Sequence, residues 1–227
     1  MRYLQFILVC AFWLAGPAAK YASAQAPPAT AAGDGGQTVD GVAARIENDI
    51  LTESEVRELG EFQLLVDGAE KPRTERIREL ADQWIVRGEI ANAKYPPPTA
   101  ADADRAYAQL EAQFPSPEEF AKRCAAAGLT EAAVHRMLLD QLHLSRFLDF
   151  RFRPAAQIDA KQLETYYNDE FVPQLKERNQ AVPPLEDVED TIREVLILRA
   201  INERATRWLD DTRSRLKIDV MADGARP

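Results

Sequence analysis

Cysteine is nearly absent from this 227-residue chain: Cys10 and Cys124 are its only thiols. Cys10 lies inside the first apolar run, so removal of that run leaves Cys124 alone and excludes an intramolecular disulfide. Stability then has to come from packing. Cys124 falls on the same helical face as Phe120 and reads as a small buried apolar group rather than a nucleophile. Histidine is equally scarce. His135 and His143 stand eight positions apart on one predicted helix, about 80° apart around its axis. Zinc-type sites want ligands three or four apart and further partners, so both are read as surface histidines and no metal is assigned. No Gly-rich loop follows a strand, which excludes a phosphate cradle, and neither histidine sits in a recognisable Ser or Cys nucleophile setting. The acidic pairs Glu118-Glu119 and Asp210-Asp211 are neighbours on helices, about 100° apart, and read as solvated surface. No catalytic residue and no cofactor is assigned.

Positive charge is also in deficit. Lys and Arg number 28 against 37 Asp and Glu, a formal net charge of -9. Such a surface repels phosphates and anionic headgroups, which sets aside nucleic acids and electrostatic membrane binding. Long hydrophobic runs are missing except at the start. Met1-Arg2-Tyr3 gives a short positive beginning, Leu4 to Leu14 is mostly apolar, and Ala22-Ser23-Ala24 precedes Gln25 in the small-x-small pattern of a signal-peptidase site. Residues 1–24 are therefore expected to be a cleaved secretory signal, with no stable membrane insertion afterwards. Residues 25–38, rich in Ala, Pro and Gly, offer little to bury and read as a flexible linker.

What remains is mostly helix. Val42, Ala44 and Ile46 alternate with Ala43, Arg45 and Glu47, and Asn48-Asp49 supplies a turn before Ile50-Leu51, a short hairpin. Thr52 with Glu55 is a capping box opening a helix with Val56, Leu59 and Leu64 that stops near Asp67-Gly68. A second helix runs from Pro72 to Lys94 with Ile77, Leu80, Trp84 and Ile85 on one side, and Pro96-Pro97-Pro98 ends it. A third starts near Thr99 and carries Tyr107, Leu110 and Phe114. Pro117 opens a short fourth with Phe120 and Cys124, and Gly128 is its left-handed cap. Thr130 caps a fifth helix reaching about Phe152, apolar on more than one face. Asp159 with Gln162 opens the next, bearing Leu163, Tyr166, Tyr167 and Phe171. After Pro183-Pro184 the last helix runs to Arg215, on the order of 45 Å. Leu216 to Val220 alternates as a closing strand, expected to pair with the hairpin near Val42. The predicted fold is mainly α, with a short N-terminal β-hairpin closed by a C-terminal strand. Residues 39–220 would form one domain and 221–227 a disordered tail.

This order of parts resembles the N-terminal chaperone module of SurA-like periplasmic proteins. The resemblance rests on VAARIENDILTESEV (Val42 to Val56), on the Phe-spaced stretch with its Gly-Leu-Thr-Glu cap (Phe114 to Glu131) and on the Tyr-Tyr segment (Ile158 to Phe171), and it covers nearly all of residues 39–220. Relatives commonly insert a parvulin-type prolyl isomerase domain before the closing helix. Here Pro154-Ala155-Ala156-Gln157 leads directly to Asp159, leaving no room for it. The resemblance thus implies a periplasmic, ATP-independent holding chaperone for unfolded or outer-membrane polypeptides, without an enzyme. A prolyl isomerase, by kinship alone, and a structural partner that dimerises or joins an envelope complex through its long last helix are the rival readings.

Chaperones need exposed apolar surface. Tyr107, Phe114, Trp84 and Trp208 lie on helical stripes and read as packing. Phe147, Phe150 and Phe152 form with Arg151 and Arg153 the aromatic-basic run F-L-D-F-R-F-R. Together with Met137 and Leu144 they are expected to line one client groove, burying client side chains at roughly 25 cal/mol per Å², with Met supplying adaptability.

Overall fold

Alternating apolar residues and a tight turn produce the first two strands, β1 (Val42–Ile46) and β2 (Asp49–Thr52). Glu47, at φ 53°, makes the left-handed turn between them. The computed structural model describes residues 40–222; the expected signal peptide, the linker and residues 223–227 lie outside the described residues. Thr52 then closes its capping box. Its Oγ1 accepts from the Glu55 N–H at 3.2 Å and Glu55 Oε2 accepts from the Thr52 N–H at 2.8 Å, an arrangement typically worth about 1 kcal/mol. Helix α1 (Glu53–Asp67) follows and ends on Gly68 at φ 74°.

Helix α2 (Arg73–Ala93) runs back along the sheet, with Pro72 preceding its first residue. Next come α3 (Ala100–Glu111), α4 (Pro117–Ala126) and the 22-residue α5 (Glu131–Phe152). Phe114 lies beyond the end of α3 rather than on it, yet its ring still meets Phe120 at 5.0 Å. After a 3-10 turn at Arg153–Ala155, α6 (Ala160–Tyr166) widens into a π-helical segment (Tyr167–Phe171) and resumes as α7 (Val172–Glu177). The last helix, α8 (Leu185–Arg213), leads to β3 (Ile218–Val220). The closing strand pairs antiparallel with β1, Ala44 opposite Val220 and Ile46 opposite Ile218, giving the sheet order β2-β1-β3. Met221, expected in the tail, still donates to the Ala43 carbonyl at 2.9 Å, and its own carbonyl accepts from Arg73. From Gly41 onward the described chain is one compact unit.

Burial divides the core into linked clusters. Ala44, Ile46 and Leu51 of the sheet pack on Val56, Leu59, Ile77 and Leu80. One turn further along α1, Phe62 and Leu65 turn instead toward Leu110, Phe120, Cys124, Val134 and Leu138. A third cluster joins α2, α5 and α8 through Val86, Ile90 and Phe147, with Leu144, Leu148 and Trp208 at its border. The segment from Ile158 to Leu196 keeps a core of its own around Leu163, Phe171, Leu175 and Ile192. The first half of α8 belongs to that small core. Its second half packs on α2 and α5.

Candidate functional site

Helix α5 presents its residues every three or four positions, so His143, Phe147 and Phe150 share a face. Opposite them stands Tyr95, and the backbone explains its position. Lys94 caps α2 in the left-handed region at φ 50°, and the Tyr95 N–H bonds the Ile90 carbonyl at 3.1 Å, which folds the chain back against α5. Tyr95 then meets Phe147 edge-on at 5.6 Å, Phe150 at 5.2 Å and His143 at 6.0 Å between ring centres. Phe147 is 2% exposed and Phe150 is 61% exposed. Phe152 lies to the side, half-buried, with its ring 5.8 Å from Trp208, and the Arg151 guanidinium sits 4.8 Å above the Trp208 ring.

The single groove expected from Met137 to Phe152 is not what forms. Met137 borders the α1–α3–α4–α5 core beside Val134 and Leu138. It stands about 20 Å along the helix from Phe150. Leu144 borders the α2–α5–α8 core, and Phe147 is one of that core's buried residues. The excess apolar residues of α5 are explained by two cores on two sides of one helix, not by one open trough. Phe150 is the fully presented ring; Phe152 is partly so. Tyr95 and Phe150 form an aromatic ledge, whereas Phe152 with Trp208 lies about 200° round the helix from it. Tyr95 gives no signal in sequence, because its position depends on the Lys94 turn.

The histidines also differ from expectation. His135 is half-buried, stacked on Tyr107 at 4.3 Å, with Asp104 and Glu131 at 3.6 and 3.9 Å. His143 keeps a buried Nε2 with no hydrogen-bond partner among the described residues. Their neighbours on α3 and after α2 cover them.

The strongest electrostatic feature fixes α3 to α5. Asp102 is the third residue of the Thr99 capping box, and Arg146 grips its carboxylate with a two-pronged contact of 3.1 and 2.8 Å, joined by Arg105. Those hydrogen bonds, Arg146 first and then Thr99, hold Asp102 well below the usual carboxylate range. Glu79 goes the other way. Burial, then the Asp82 carboxylate, push it up to about 7 even with the Lys71 ammonium in contact. A carboxyl near neutrality suits acid–base chemistry, but Glu79 is sealed, accepting from Gln63 at 2.7 Å and from Lys71. It latches the α1–α2 turn. Burial likewise raises the Cys124 thiol, as a core position requires.

An open groove of about 570 Å³ lies elsewhere, between α2 and β3. Ile77, Arg78 and Ala81 form one wall and Leu216, Ile218 and Val220 the other. Arg213, held by Asp82 and Asp210, and Arg78, bonded to Asp210 at 2.7 Å, anchor the end of α8 to α2 and so set where β3 begins. Among the described residues no three His, Cys, Asp or Glu side chains converge as a metal site, and no helix is long and apolar enough to cross a membrane.

Fold and surface together define a mainly α-helical domain, closed by a three-stranded sheet, whose exposed apolar features include an aromatic ledge and a groove beside β3, with Ile50 and Val182 exposed elsewhere. Compared with known protein families and with curated proteins, the chain matches none.

Proposed function

We propose that this protein is an ATP-independent holding chaperone of the periplasm that binds unfolded or outer-membrane polypeptides, as the SurA-like resemblance of its sequence also implies. The observation that carries the reading is Phe150, 61% exposed on a rigid 22-residue helix. Tyr95 backs it at 5.2 Å. Fully burying a Phe side chain is worth about 1.5–3 kcal/mol, so a client that covers this ring gains about 1–2 kcal/mol from it alone. Phe152, Trp208 and the Arg151 guanidinium offer a second contact on another side of the same helix and accept aromatic or aliphatic side chains with little discrimination. Several such weak contacts, offset by the ordering of a flexible client, give modest affinity and low specificity, the properties of a holdase. Nothing in this contact consumes a nucleotide. The test is Phe150→Glu in an assay of aggregation by an unfolded outer-membrane polypeptide. Protection is expected to fall while the helical circular dichroism is unchanged; undiminished protection refutes the ledge as the client site.

A further inference from the structure

Among the described residues strand β3 is an edge of the sheet, and the register shows which of its groups are unpaired with β1. Glu47 N–H donates to the Lys217 carbonyl and Met221 N–H to the Ala43 carbonyl, at 3.0 and 2.9 Å. With Arg45 opposite Asp219, the odd-numbered residues of this strand bond β1, and the N–H and C=O groups of Ile218 and Val220 point to the open side. Val220 is 52% exposed. The segment Leu216-Lys217-Ile218-Asp219-Val220 reads apolar, positive, apolar, negative, apolar about a centre at Ile218.

We infer that β3 pairs antiparallel with β3 of a second copy of this chain, centred on Ile218, so that two three-stranded sheets become one. In that register the outward-facing residues of both strands meet: Ile218 faces its own copy and Val220 faces Leu216. Leu216 N–H is already used by Arg213, so about four main-chain hydrogen bonds form. Lys217 faces Asp219 of the other copy at the closely spaced non-hydrogen-bonded position, where opposite charges pair best. The ladder then alternates in sign across the joined sheet, from Arg45 through Asp219 to the second copy's Lys217, whose own main-chain N–H is held by the Glu47 carboxylate. Within one copy, Lys217 Nζ lies 3.4 Å from Asp219 Oδ2, with side chains 74% and 52% exposed; pairing exchanges the two such contacts, one in each copy, for two between copies. The neighbouring register sets Asp219 against Asp219 and is repelled. Charge thus selects one twofold, self-complementary arrangement. It covers an edge that otherwise invites uncontrolled strand addition. The apolar wall of the α2–β3 groove, Ile218 and Val220 with Ile77 and Ala81, receives the second copy's Val220.

Sedimentation velocity of the purified chain across a wide concentration range tests this. A monomer–dimer equilibrium is expected. Lys217→Asp and Asp219→Lys, each alone, place like charges opposite one another and weaken association by about tenfold or more. An equimolar mixture of the two variants restores complementary pairs and is expected to dimerise. Circular dichroism of each variant checks that it is folded. A wild-type chain that stays monomeric throughout, single variants that dimerise as wild type does, or folded variants whose mixture stays monomeric each overturn the inference.

Discussion

Two phenylalanines three residues apart on α5 separate packing from binding. Phe147 is 2% exposed within the α2–α5–α8 core, and Phe150 is 61% exposed above it. Phe147→Ala deletes a ring whose neighbours, Val86 and Ile90 on α2 and Trp208 on α8, belong to different elements and cannot all collapse into the gap. A loss of about 3–5 kcal/mol follows. For a domain of this size each kcal/mol moves Tm by about 2–4 °C, so the melting point should fall by about 6–20 °C. Phe150→Ala gives up only the buried minority of its ring and its contact with Tyr95, about 1 kcal/mol and a few degrees. On the proposed holdase reading client protection should reverse the order: measured well below either melting point, Phe147→Ala should keep it and Phe150→Ala should lower it. Urea unfolding followed by circular dichroism gives the stabilities, and light scattering of an aggregating client gives the protection. Comparable stability losses for both variants, or loss of protection only with Phe147, would refute the assignment of the two rings.

Acid stability tests the Asp102 fork. Because the folded carboxylate sits below its unfolded value of about 3.9, its contribution is fully present above that value and is lost as pH falls through it toward the folded pKa. An acid titration followed by circular dichroism should show Asp102→Asn weaker than wild type at neutral pH, with the difference closing below about pH 4. Two glycines should respond with opposite signs. Gly128, at φ 77° with only the Glu61 carboxylate near an added Cβ, should lose about 1–2 kcal/mol as Gly128→Ala; Gly88, inside α2 with open space around it, should gain about 0.8–1 kcal/mol as Gly88→Ala in the same denaturation assay.

Local chemistry was legible where it is decided locally. Thr52 with Glu55 and Asp159 with Gln162 stand in the structure as reciprocal caps, Thr130 caps α5, and Gly128 takes the left-handed turn. Pairing of the last strand with β1 was legible too, because LKIDV has the two-residue period and apolar face that the hairpin lacks a partner for. Orientation around α5 was not. Periodicity shows that Met137, Leu144 and Phe147 are apolar, but which of two cores each one serves depends on which other helices pack against each side of α5. The π-helical turn at Tyr167–Phe171 has no sequence signature, and the Asp102–Arg146 fork joins residues that only tertiary packing brings together. Tyr95 follows the same rule, owing its place to a strained Lys94 that composition does not announce.

The closure of the sheet by strands far apart in sequence, Val42–Ile46 and Ile218–Val220, has a consequence for biogenesis. Ile46 finds Ile218 only after everything between them has been synthesised, and closing so long a loop costs on the order of 4–5 kcal/mol in chain entropy. A nascent chain therefore presents an incomplete ribbon until Ile218 to Val220 has emerged, and that short strand is what locks the architecture.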